Sequence, residues 1–125
     1  MARVLIVDDD PLILELLSDT VHRLGHEAVQ AHSGSRALRQ LDDDCFDLVI
    51  ADIFMPNGTG LELLISMRAK HIDIPFACVS GGDGNLFKPY AATMKSLGAV
   101  AVLQKPIDSD QVASVIASLT ALGAS

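Results

Sequence analysis

Residues 47–56 read DLVIADIFMP, and this stretch decides the fold because a short apolar run leads to one aspartate and then to a proline. Four apolar residues are too few for a helix, and a run of this length is typical of a buried strand. Since Met55 precedes Pro56, a helical conformation is disfavoured there. Asp52 is therefore predicted to lie where a buried strand passes into a loop, at the edge where open α/β sheets bind ligands.

Strand-like and helix-like segments alternate along the whole chain. Alternation of this kind predicts a parallel sheet with right-handed crossovers and helices on both faces. We predict one α/β domain over residues 1–125, a doubly wound flavodoxin-like (βα)5 sheet with strand order 2-1-3-4-5. The second strand has the weakest apolar pattern and is expected near a sheet edge. The predicted strands are residues 4–7, 27–31, 48–51, 75–79 and 100–103.

The first helix is predicted to run from Pro11 to about Leu24. Asp10 is a good N-cap, proline suits the first helical position, and Gly25 supplies a stop. Its inner face is expected to carry Leu12, Leu16, Val21 and Leu24. The other helices are predicted to start after Ser33 or Ser35 and run through Leu41, then over residues 61–70, 89–97 and 109–122.

The composition excludes several functional classes. Nine basic and sixteen acidic residues give a formal charge of −7, which disfavours direct binding to nucleic acid or to anionic membranes. Cys45 and Cys78 are too few for a disulfide framework and lack the spacing of a metal site, and Cys78 is expected to be an inert core thiol. No apolar segment reaches the length of a membrane span and no signal peptide is recognisable, so a cytoplasmic location is expected.

Polar side chains stand at the ends of four predicted strands. Asp8 and Asp9 follow the first strand, Asp52 ends the third, Ser80 ends the fourth, and Lys105 lies just after the fifth. Because parallel strands end at the same edge of a sheet, these side chains are predicted to meet. Each residue alone is more often a turn or cap residue, so the joint placement is what indicates a functional site.

The chemistry of this set favours phosphoryl acceptance. Three carboxylates brought together raise each other's pKa unless a cation lies between them, and carboxylates with room for water suit Mg²⁺. Asp52 can then act as a nucleophile that forms an aspartyl phosphate. Lys105 can neutralise the phosphoryl oxygens, and Ser80 can donate a hydrogen bond to one of them.

The sequence resembles the receiver domains of two-component response regulators over essentially its whole length. The resemblance rests on VLIVDD at residues 4–9, DIFMP at residues 52–56 with Gly60, Ser80, and KP at residues 105–106. It implies that Asp52 accepts a phosphoryl group from a phosphohistidine of a sensor histidine kinase or of a histidine phosphotransfer protein. It implies contacts of Ser80 and Lys105 with that group, and a Mg²⁺ ion held by Asp8, Asp9, Asp52 and the backbone carbonyl of Phe54.

The resemblance also implies how such a domain signals. We expect a stand-alone receiver without an output domain, which catalyses its own phosphorylation and dephosphorylation but acts mainly as a signalling protein. Phosphorylation would change its conformation and its contacts with an unknown downstream protein, and a phosphorylation-dependent dimer is one possible form.

Three other classes compete with this hypothesis. A pseudo-receiver, acting as a phosphorylation-independent protein-interaction module, usually lacks one of the acidic, phosphoacceptor or lysine positions, whereas all are present here. A flavodoxin-like cofactor binder needs a phosphate-binding loop after the first strand, where this chain has aspartates. A phosphohydrolase of the haloacid-dehalogenase kind needs a second acid two residues after its nucleophile, where Phe54 stands.

The chain departs from the family pattern at three places. Val102 occupies a position where the family usually has an aromatic switch, and a short side chain that is stiff at χ1 cannot swing a ring. The glycine-rich residues 81–88 lengthen the segment before Lys105 and are predicted to form a loop. Phe54 and Gly82 flank the phosphoryl group in the family, and Phe54 has no polar group to orient water, which predicts slow self-dephosphorylation.

Overall fold

Five parallel strands form a single sheet, in which the second strand of the chain lies at one edge and is followed by the first, third, fourth and fifth. This is a computed structural model, and it describes residues 1–53, 60–80, 92–105 and 107–123. The predicted fold class and the predicted strand order are both confirmed. The strands are β1 (Arg3–Val7), β2 (Glu27–Ala31), β3 (Leu48–Asp52), β4 (Phe76–Ser80) and β5 (Ala101–Gln104).

Helices cover both faces of this sheet because alternate residues of each inner strand point to opposite sides. From β1, Leu5 and Val7 join a core cluster that also contains residues of the second, third and fourth helices. Val4 and Ile6 join the opposite cluster, which contains residues of the first and fifth helices. The helices are α1 (Pro11–Arg23), α2 (Gly34–Asp43), α3 (Gly60–Ala69), α4 (residues 92–96 of the described chain) and α5 (Ser109–Gly123).

The burial of the strands follows their position in the sheet. β3 and β4 are buried at every residue, whereas β2 lies at one edge and is buried only at Ala31. The expected edge position of the second strand is confirmed. Cys78 lies within β4, and burial raises the pKa of its thiol to about 12, so the expected inert core thiol is confirmed as well.

The predicted caps are present at the starts of α1 and α2. The Asp10 carboxylate accepts a hydrogen bond from the amide of Leu12 at 3.0 Å, and Pro11 occupies the first turn. Ser33, and not Ser35, caps α2, since its hydroxyl accepts from the amide of Arg36 at 3.3 Å. These local contacts satisfy helix donors that have no partner within the helix.

The predicted inner face of α1 is wrong for two of its leucines. Leu12 and Leu16 are 74% and 52% exposed, and the buried apolar residues are instead Leu14, Leu17 and Val21. A helix has 3.6 residues per turn, so positions 12 and 21 lie on opposite sides of it. The chain therefore carries two apolar stripes on α1, and only one of them faces the sheet.

Several predictions fall on residues outside the described ranges. They concern Phe54, Gly82, Pro106, the loop at residues 81–88 and the start of the fourth helix at Pro89. Val102 is described: it is half-buried in β5 and packs against the cluster that contains Met94 and Ala99. Within the described ranges, every helix falls short of the length and apolar character that crossing a membrane requires.

Candidate functional site at the carboxyl end of the sheet

Three aspartates come together where β1 and β3 end. Val7 pairs with Ala51 across these neighbouring strands, so Asp8 and Asp52 leave the sheet at the same level. Asp8, Asp9 and Asp52 each offer a carboxylate oxygen, and these oxygens all lie within 4.8 Å of one another. The carboxylates predicted from the sequence to converge are adjacent in the fold.

Asp8 is the most constrained of the three carboxylates. It is buried, and its Oδ1 accepts a hydrogen bond from the amide of Asp10 at 2.9 Å. Burial raises the pKa of Asp8 to about 6, although the Asp10 hydrogen bond and the Lys105 ammonium act in the opposite direction. The charges of Asp52 and Asp9 add to the rise. The domain therefore holds a carboxylate whose ionisation is costly unless positive charge is close.

Lys105 supplies that positive charge from the end of β5. Its backbone amide donates to the carbonyl of Ser80 at 2.8 Å, which aligns the residue with the sheet. Its Nζ lies 3.2 Å from Oδ2 of Asp52 and 3.6 Å from Oδ2 of Asp8. Burial by itself would lower the pKa of Lys105, but Asp52 and Asp8 outweigh it and the pKa is raised. The ammonium thus stays charged between two buried carboxylates.

Asp52 and Ser80 are the last residues of two paired strands. Asp52 pairs with Val79 across β3 and β4, so Ser80 stands one residue further along the neighbouring strand. Asp52 is only 7% exposed and Ser80 is fully buried. The structure therefore places all five predicted side chains, those of Asp8, Asp9, Asp52, Ser80 and Lys105, at one edge of the sheet.

The carboxylate set fits a hard divalent cation. Mg²⁺ binds oxygen at about 2.1 Å, so two oxygens on opposite sides of the ion are separated by roughly 4.2 Å. The oxygens of the three aspartates all lie within 4.8 Å of one another, which is on the scale of such a cation site. Asp9 is exposed, which leaves one side of the cluster open to the water ligands that Mg²⁺ retains. The expected fourth ligand, the carbonyl of Phe54, lies outside the described ranges.

An apolar cleft beside the site was not predicted from the sequence. It has a volume of about 390 Å³ and is lined by Ile13, Leu16, Leu17, Lys105 and Ile107. The sequence signal for the cleft was Leu16, which does not fit the buried stripe of α1. It was misread because Leu16 was assigned to the inner face of the helix.

The comparison with protein families identifies the class of protein that this fold and site define. The model of the response regulator receiver domain matches residues 4–117. The chain belongs to this family, and the family predicted from the motifs is confirmed.

Individual relatives agree with this assignment. The chain is 34% identical over 116 residues to the uncharacterized transcriptional regulatory protein YrkP of Bacillus subtilis, covering 82% of this chain and 50% of that protein. It is 33% identical over 115 residues to the transcriptional regulatory protein GlrR of Escherichia coli, covering 92% of this chain and 25% of that protein. The chain thus spans half or less of the length of these relatives.

A solved structure shares both the fold and part of the sequence. The response regulator protein TrrA of Thermotoga maritima, in complex with Mg²⁺ and BeF, superimposes with a TM-score of 0.82 at 31% identity. The match covers 95% of this chain and 99% of that chain.

Proposed function

We propose that this domain accepts a phosphoryl group on Asp52 in a Mg²⁺-dependent reaction, taking it from a phosphohistidine of a sensor histidine kinase or a histidine phosphotransfer protein. The observation that carries the proposal is the contact of Lys105 with Asp52, 3.2 Å between Nζ and Oδ2, beside two further aspartates. A nucleophile, a cation site and a fixed positive charge are the parts that phosphoryl transfer needs. The complex of TrrA with Mg²⁺ and BeF supports this use of the site in a relative.

Each residue has a distinct role in the proposed reaction. An Asp52 carboxylate oxygen forms the new P–O bond while the P–N bond of the phosphohistidine breaks, and the electron pair of that bond returns to the imidazole. Lys105 transfers its hydrogen bonding from Asp52 to an equatorial phosphoryl oxygen, and Ser80 donates a hydrogen bond to another. Asp8, Asp9 and Asp52 would hold Mg²⁺, which neutralises charge on the transferred group when bound.

The remaining parts of the proposal concern signalling. We infer that phosphorylation changes the surface that a downstream protein contacts, with dimerisation as one consequence. That the phosphate is lost slowly because of Phe54 stays a prediction. The rival function is a pseudo-receiver that binds partners without phosphate, and the experiment below separates the two.

Incubation with Mg²⁺ and a small phosphodonor such as acetyl phosphate is expected to add one phosphoryl group, measured by intact mass. Asp52→Asn removes the nucleophile, so no adduct is expected from that variant, and chelation with EDTA is expected to abolish the adduct of the unaltered chain. An unmodified wild-type mass, or an adduct that persists in Asp52→Asn, would reject phosphoacceptance at Asp52 and favour the pseudo-receiver.

The exposed stripe of α1 is the surface we propose for docking of the phosphodonor protein. Leu16 lines the cleft that also contains Lys105, so a helix or loop seated there would lie next to Asp52. Leu12 extends the same stripe and is 74% exposed. Exposed large apolar residues that border a reactive site are typical of protein-binding surfaces.

Leu16→Glu is expected to slow phosphotransfer from a phosphohistidine protein by about tenfold or more, because a charge would enter an apolar contact. The rate with acetyl phosphate is expected to stay within about twofold, since that donor needs no docking surface. Ile65→Glu on α3 is the matched control, because Ile65 is 50% exposed and Leu16 is 52% exposed. Equal losses in both variants would contradict a docking role for α1.

A further inference from the structure

Gly60, the first residue of α3, lies directly against the backbone of Asp52. Its amide donates to the carbonyl of Ile53 at 3.0 Å. A Cβ at position 60 would lie 2.4 Å from the carbonyl oxygen of Asp52 and 3.1 Å from both the carbonyl carbon of Asp52 and Cα of Ile53. Non-bonded heavy atoms pack at about 3.5 to 4.0 Å, so this position has no room for a methyl group.

Neither side of this contact can move without cost. The amide of Ile53 donates to the carbonyl of Val79 at 2.9 Å, and β3 is buried along its whole length. On the other side, α3 is anchored in the core by three buried side chains. These are Leu63, Leu64 and Met67. A side chain at position 60 would therefore displace either the end of the strand or the start of the helix.

We propose that Gly60 is a positioning residue for Asp52. Without a side chain, it lets α3 pack against the strand end, and this contact holds the Asp52 carboxylate beside Lys105 and the other aspartates. The inference rests on the proposed phosphoacceptor function. A reacting group displaced by 1 Å loses about 100-fold in rate, because attack requires a narrow range of distance and angle.

Gly34 offers a matched control within the same chain. It is the first residue of α2 and is buried, as Gly60 is in α3. A Cβ at position 34 would meet Cβ of Leu63 at 3.8 Å, which is an ordinary van der Waals contact. Gly34→Ala and Gly60→Ala thus make the same chemical change at the same helical position, but only the second displaces the backbone of Asp52.

The test is the rate of phosphorylation by acetyl phosphate at saturating Mg²⁺, measured against donor concentration and divided by the folded fraction from circular dichroism. Gly60→Ala is expected to lower the maximal rate per folded molecule by about 10- to 100-fold. The half-saturating donor concentration is expected to change by less than about threefold, because a misplaced nucleophile alters the reaction and not the binding of the donor. Gly34→Ala is expected to change neither quantity.

Two results would overturn the inference. The first is a wild-type maximal rate per folded molecule in Gly60→Ala. The second is a Gly60→Ala chain that remains unfolded even in concentrated sucrose, a solute that favours compact states. Glycine at position 60 would then be required for folding and not for the placement of Asp52.

Crystal structures of the two variants separate this inference from the proposed function. We expect the Asp52 carboxylate to be displaced from Lys105 in Gly60→Ala and unchanged in Gly34→Ala. If the wild-type chain takes up no phosphate, the proposed function fails, and these structures still decide the role of Gly60. A structure in which α3 moves while Asp52 stays in place rejects the positioning role.

Discussion

Lys105→Met is expected to slow the phosphorylation of Asp52 by about 100- to 1,000-fold, because it removes the fixed positive charge that faces the transferred group. The same variant is expected to lose about 1 to 3 kcal/mol of unfolding free energy in EDTA at pH 8. Its side chain lies between Asp52 and Asp8, and both carboxylates stay buried without a countercharge when it is gone. We set the loss below that of a fully buried pair because the Lys105 side chain is 25% exposed.

Lys70→Met provides the control for this substitution. Lys70 pairs with Asp42 at 3.4 Å, which is close to the 3.2 Å between Lys105 and Asp52. The side chains of Lys70 and Asp42, however, are 50% and 54% exposed. An exposed pair contributes about 0 to 1 kcal/mol, so little change in stability is expected. The comparison uses chemical denaturation in EDTA and the initial phosphorylation rate in Mg²⁺. If Lys105→Met and Lys70→Met have the same stability and the same phosphorylation rate, the contact between Lys105 and Asp52 has no electrostatic role.

Asp8→Asn is expected to stabilise the metal-free domain relative to the wild type by an amount that grows as the pH rises. Burial raises the pKa of Asp8 to about 6 from its ordinary 3.8, so the folded state holds its proton where the unfolded chain has released it. Below pH 3.8 Asp8 is protonated in both the folded and the unfolded chain, so it does not lower the free energy of unfolding. As the pH rises towards 6 the penalty of the buried charge develops, and above that it is constant at about 1 to 3 kcal/mol.

The measurement is the unfolding free energy of both chains in EDTA from pH 4 to pH 8. The difference between the chains gives the ionisation of Asp8 together with its electrostatic coupling to Asp52, Asp9 and Lys105, because carboxylates far from the site, such as Asp44 beside Arg3, are the same in both chains. Asp9→Asn removes the same charge from an exposed position and is the control for the loss of a carboxylate at the site. Saturating Mg²⁺ is expected to stabilise the wild type by mass action and to stabilise Asp8→Asn much less. A difference that does not vary with pH would contradict a raised pKa of Asp8 in the folded domain.

Val102 is the departure from the family pattern that bears on the proposed readout of phosphorylation. Val102 is half-buried and packs against the cluster that contains Met94 of α4. A side chain of this size cannot exchange between an exposed and a buried ring position, so either another group serves as the switch, or the conformational readout is weaker, or valine is there only because it packs better in β5. Which of these holds stays a prediction to test. Met94 lies in α4 and is fully buried in that cluster.

Much of this domain could be predicted from its linear pattern, for a physical reason. Apolar runs of strand length indicate strands that are buried on both faces. In a parallel sheet, the carboxyl ends of all such strands lie at one edge. Because Asp52 ends one buried run and Ser80 another, both were predicted at that edge, and the predicted strand order made them neighbours. The cap of α1 was predictable because Asp10 acts on an amide two residues away, whereas for α2 the sequence left Ser33 and Ser35 open and the structure decided for Ser33.

The choice between the two apolar stripes of α1 was decided only in the folded chain. Leu12 and Leu16 are as apolar as Leu14 and Leu17, and which pair meets the sheet depends on how the helix is rotated about its axis by all its contacts. Of the outward pair, Leu16 lines a cleft together with Lys105, which is a property of packing and not of composition.

Within the site, the difference between Asp8 and Asp9 was also decided only in the folded chain. They are adjacent and chemically identical, so the chain predicts two carboxylates at the edge of the sheet and nothing about their difference. In the fold one is buried beside Lys105 and the other is exposed, and burial is what raises the pKa of Asp8. Local spacing thus determined which groups meet at Asp52. The distances of closest approach, such as that of Gly60 to the Asp52 carbonyl, were decided by tertiary packing, because they depend on contacts between segments far apart in the chain.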